Sequence, residues 1–169
     1  MSDDERRLFA MPCLSGQLDG VEFGPLDPDE EDDRSVLIRA DHPEWHSALA
    51  SGRETVHHRG QLVNPALHIA MHEIVANQLL ADEPPEMWQT AARLMDAGYE
   101  RHEVLHMLAS VVSADVYAAL HDNQPPDPAR TRAALAALPG SWEQQRAEIP
   151  ADRHANRAER RAAERKHRH

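Results

Sequence analysis

A chain of 169 residues, 41% hydrophobic and 4% aromatic, is long enough for one domain with an aliphatic core. Its formal net charge is -11, which disfavours a phosphate-backbone partner for the folded part. The charge is uneven: residues 1–60 hold 14 acids against 6 bases, whereas residues 151–169 hold 3 acids against 7 bases, so only the basic tail 153–169 is left as a weak candidate for a nucleic-acid contact.

Residues 1–34 are rich in turn formers and acids ("LDGVEFGPLDPDEEDDR"). Such a composition buries too little apolar surface to offset ordering entropy, so a disordered acidic arm is expected. Cys13 is the only cysteine, which rules out an intrachain disulfide and leaves an inert thiol. The start lacks a basic region followed by an apolar run, and no stretch approaches the roughly 20 apolar residues of a membrane helix. A soluble, cytoplasmic protein with no membrane partner is the expectation.

A helical domain is expected over residues 35–140. Its first piece is a short helix from about Glu30 to Ala40. A second follows in "DHPEWHSALASG", capped by Asp41, with Pro43 in its first turn and Gly52 at its end. The informative unit is 64–121. Asn64 caps and Pro65 opens a helix that runs to about Ala81, before Pro84-Pro85. The next helix starts at the prolines and stops at Gly98, with Met87, Ala91, Leu94 and Met95 on one face. A third runs to about His121 along a stripe of Leu105, Leu108, Val112, Val116 and Leu120. "DPARTRAALAALPG" is a fourth helix ended by Pro139-Gly140, and residues 141–169 form a charged tail, helical or disordered. No alternating strand pattern or hairpin signal is evident. The fold class is therefore all-α, a small helical bundle around a central three-helix unit.

Two helices of that unit each carry a His-x-x-x-His pair: His68 with His72, and His102 with His106. Spacing of four residues puts both rings of a pair on one helix face, about 6 Å apart along the axis. Tight connections make successive helices antiparallel, so the first and third run together and both pairs fall at the same end of the bundle. His68 and His72 continue into Val75 and Leu79, a core-facing stripe. Buried histidines without partners are costly, and two pairs supply three or four nitrogen donors. One divalent transition metal is expected, zinc favoured, with iron, manganese, copper or nickel open. Helix N-termini keep such imidazoles neutral, as metal binding requires.

Residues 102–106 also spell His-Glu-x-x-His. Glu103 is thus a candidate general base of a metal-dependent hydrolase, or a ligand, as Glu-x-x-His is in iron or manganese helical bundles. The second reading is weakened because Glu73 is followed by Ala76, so no second Glu-x-x-His exists. Glu73, next to His72, is a candidate outer partner or extra ligand, or faces solvent. A closed four-histidine shell would make the ion a structural staple rather than a catalyst. His42 and His46, also four apart, read as surface residues beside Trp45, with a role in covering the mouth of the site as the alternative. His57 and His58 are assigned no role.

"NPALHIAMHEIVANQLLADEPPEMWQTAARLMDAGYERHEVLHMLASVVSADVYAAL", with "LIRADHPEWHSAL" upstream, resembles a bacterial family known as domain of unknown function 1841, in particular its actinobacterial-type members. The resemblance covers about Leu37 to Leu120. It implies that the family's characteristic histidines are His68, His72, His102 and His106, with Glu103 between the last two, and it implies no activity. Many zinc proteases sharing the pentapeptide bind substrate as an added strand, which this sequence does not provide.

Overall fold

A computed structural model describes residues 2–11, 15–58, 61–125 and 127–148. Within them the chain forms α1 (Asp3–Ala10), a short hairpin of β1 (Gln17–Leu18) and β2 (Val21–Glu22), α2 (Glu31–Ala40), a 3-10 turn Pro43–Trp45, and α3 (His46–Ala50). A second hairpin of β3 (Val56–His58) and β4 (Gln61–Val63) follows, then α4 (Pro65–Ala81), α5 (Pro85–Asp96), α6 (Arg101–His121), α7 (Pro128–Ala136) and α8 (Gly140–Glu148). Helices dominate, as expected.

The centre is α4, whose start is set locally: the Asn64 side chain accepts a hydrogen bond from the Leu67 N–H at 3.0 Å, and Pro65 fills the first helical position. It packs on α6, α1, α2 and α5. Its Val75 and Leu79 meet Met87, Ala91 and Leu94 of α5 and Val104, Met107 and Leu108 of α6 in one buried cluster. Met95 departs from the expected face and is 40% exposed. The α6 stripe is likewise buried only as far as Val112, and Leu120 is 76% exposed, because the neighbours of α6 cover its first three turns. By length and composition α6 is apolar enough to cross a membrane, contrary to the sequence expectation, yet its buried residues belong to the shared core.

Three further expectations are corrected. The acidic arm is not structureless where it is described: Ser2 and Glu5 form a reciprocal capping box, and α1 packs on α4 through Phe9, Ala10 and Met11. Composition missed this because three apolar residues placed together suffice to anchor two turns. Two hairpins exist among the described residues. The first turns at Asp19 and Gly20, both with positive φ (51° and 85°), the pair of left-handed residues that a two-residue hairpin loop requires, and the "DG" spelling carries that signal. Asp41 does not cap the following turn, where no side-chain cap is present; its carboxylate faces Arg101 instead. Cys13 and the tail 149–169 lie outside the described residues.

Candidate metal centre

The two histidine pairs meet. Ring centroids of His68 and His106 lie 5.1 Å apart, those of His72 and His106 5.0 Å, and those of His72 and His102 5.3 Å. Within the pairs the separations are 4.8 Å (His68–His72) and 4.5 Å (His102–His106). The packing of α4 on α6 therefore brings together the four residues that helical spacing singled out.

A fifth imidazole joins them. His42, taken from sequence as a surface residue, is 1% exposed, with its ring 4.4 Å from that of His72, 4.9 Å from His102 and 5.0 Å from His68. Its position follows from the next residue. Pro43 disfavours helical geometry at His42, so α2 ends there and the side chain folds back over the last turn. His42 Nδ1 lies 2.8 Å from the Ile38 carbonyl oxygen. A carbonyl only accepts, so Nδ1 carries the proton and Nε2 offers its lone pair to the cluster. His46 does not belong with it: Nε2 of His46 is 2.8 Å from the Arg39 carbonyl. Spacing of four does not place His42 and His46 on one helix face, because the helix is broken at the intervening proline.

One ring nitrogen from each of His42, His68, His72, His102 and His106 lies within 4.8 Å of all the others. Zinc–nitrogen bonds of about 2.0–2.1 Å put no two ligand nitrogens more than about 4.2 Å apart, so the five nitrogens must draw closer together to share one ion. Nε2 of His42, His68 and His72 is buried with no hydrogen-bond partner, a costly state for an acceptor away from water. The residues present thus fit a cation that accepts nitrogen lone pairs.

Electrostatics reinforce the neutral form. Burial, followed by neighbouring His42, lowers the pKa of His68 to about 4, and burial with four surrounding histidines lowers that of His72 to about 2. His102, more exposed, is also lowered, by burial and His42, against the opposing pull of Asp41 and Glu44. Asp41 Oδ2 stands 4.0 Å from His102 Nδ1 and is itself held by Arg101 at 3.2 Å.

The glutamates adjoining the histidines point elsewhere. Glu103 accepts from Arg146 of α8 at 2.7 Å, and Glu73 accepts from the Ser35 hydroxyl at 2.6 Å. Neither belongs to the cluster of candidate donors. Each successive residue is turned about 100° around the helix axis, so a glutamate next to an inward histidine faces sideways.

A cleft of about 580 Å³ opens onto His68, His72, His102 and His106; His42 is not among its lining residues. Its walls include Trp45, Leu62, Leu67, Met71 and Trp142. His58, given no role from sequence, also lines it and packs against Trp45 with centroids 4.7 Å apart.

Fold and site together define a small, mostly helical protein enclosing a five-histidine cluster. Residues 21–137 match the family model "Domain of unknown function (DUF1841)", and the chain belongs to that family. The match is wider than the span from Leu37 to Leu120 legible in the sequence, and it contains all five histidines. No curated protein and no solved structure matches the chain.

Proposed function

We propose that this protein binds one divalent transition-metal ion, zinc first, through His42, His68, His72, His102 and His106. The observation that carries the reading is the convergence of five imidazole nitrogens within 4.8 Å of one another. An all-nitrogen donor set suits zinc, copper or nickel better than the oxygen-preferring manganese, and the absence of a carboxylate from the cluster counts against an iron or manganese carboxylate centre. Elemental analysis of protein purified without added metal tests it: about one transition-metal ion per chain is expected. Absence of metal, with a melting temperature indifferent to chelator, overturns it.

Ion pairing of Glu103 with Arg146 supports a metal-binding role over a hydrolase that uses Glu103 as general base. Glu103→Gln is therefore expected to keep the ion at full stoichiometry and to change stability by no more than about 1 kcal/mol, the value of a partly exposed ion pair. Loss of metal in that variant, measured by the same elemental analysis, makes Glu103 a ligand instead.

A further inference from the structure

The cleft and the cluster form one site with two unlike parts. Its floor is four imidazoles, backed on the side away from the opening by buried His42. Its walls are mostly apolar, and two rim residues, Leu62 of β4 and Leu67 of α4, are 63% and 53% exposed. Exposed leucines at the mouth of a cleft are the surface that an apolar ligand body covers. A volume of about 580 Å³ lies within the roughly 300–1,000 Å³ of small-molecule sites.

Charge decides the other end of the ligand. Five neutral imidazoles leave the full charge of a dication uncompensated. The carboxylates around the floor are largely accounted for, Asp41 by Arg101 at 3.2 Å and Glu103 by Arg146 at 2.7 Å. Among the described lining residues Glu44 is the one carboxylate, and none is lysine or arginine. Glu44 is exposed to solvent and offsets the dication only in part, so an anionic ligand end supplies compensation beside the buried imidazoles.

We infer that the cleft binds a small organic monoanion with an apolar body, a medium-chain carboxylate or a molecule of the same chemistry, with its anionic end on the metal and its chain between Leu62, Leu67, Met71 and Trp142. The inference rests on the metal-binding reading above. His42 holds the ion from behind, so the open face is the one the cleft serves.

The full-length chain loaded with cobalt(II) tests this, because the visible absorption of cobalt reports its donor set. Titration with acetate, octanoate and octanamide is expected to change the spectrum with both acids, octanoate binding about ten-fold or more tightly than acetate, since each buried methylene adds affinity. Replacing Leu62 and Leu67 together by alanine is expected to shrink that preference. Cobalt bound one per chain but indifferent to both acids overturns the inference and leaves the metal reading standing. Equal affinity for acetate and octanoate overturns the apolar half, and octanamide binding as tightly as octanoate overturns the anionic half. Failure to bind cobalt, zinc or any other transition metal overturns both readings together.

Discussion

His72→Ala is expected to weaken zinc binding by more than the roughly 10–100-fold that loss of an outer partner costs a metal site, while His46→Ala leaves it unchanged. The contrast follows from position. His72 is 5% exposed and its ring lies against those of His42, His68, His102 and His106, so its nitrogen sits at the centre of the donor set. His46 is occupied by the Arg39 carbonyl. His42→Ala is expected to resemble His72→Ala, which separates a five-histidine centre from the four-histidine one suggested by helical spacing. Competition against a chromophoric chelator measures the affinities, and circular dichroism confirms that each variant is folded. Folded His72→Ala protein with undiminished affinity would eliminate the proposed centre.

Metal-free protein is expected to lose stability as pH falls below about 6.5. An unfolded histidine takes up its proton near 6.5, whereas His68 and His72 in the folded chain resist protonation down to about 4 and about 2. The unfolded state therefore binds more protons in that window, and stability rises with pH across it. Both residues contribute from 6.5 down to about 4, and His72 alone below that. Above 6.5 neither adds a dependence. The slope attributable to His72 is about 1.4 kcal/mol per pH unit; that of His68, which is closer to solvent, is smaller. Urea denaturation in the presence of chelator at pH 7, 6 and 5 measures it, and His72→Leu should flatten the slope. An unchanged slope in that variant would show that the ring is protonated in the fold. Zinc-loaded protein is expected to release its ion on acidification, because protons and metal compete for the same lone pairs.

The helices of the central unit were legible because their boundaries are chemical. Asn64-Pro65 starts α4, Pro84-Pro85 separates it from α5, and Gly98, with φ 92°, closes the turn before α6. The four histidines on α4 and α6 were legible for the same reason, since a helix converts spacing of four into a shared face. His42 was not, because it sits where a helix ends, and its approach to His72 depends on how α2 lies across α4. Exposure of Met95 and Leu120 was hidden similarly: periodicity says which residues share a face, and only the packed neighbours say how far along the helix that face is covered. The cleft is wholly tertiary. Trp45, Leu62 and Trp142 come from three separate segments, and nothing local relates them.

The helix α8 is held to the rest of the protein by Arg146 on Glu103 and by the Tyr99 hydroxyl donating to Glu143 at 2.5 Å, and it brings Trp142 to the cleft. The family match ends at residue 137, before that helix begins. The five histidines lie within the matched span, while one wall of the cleft beside them comes from a helix outside it. Substitution within that helix offers a way to alter what the cleft admits while leaving the five histidines in place.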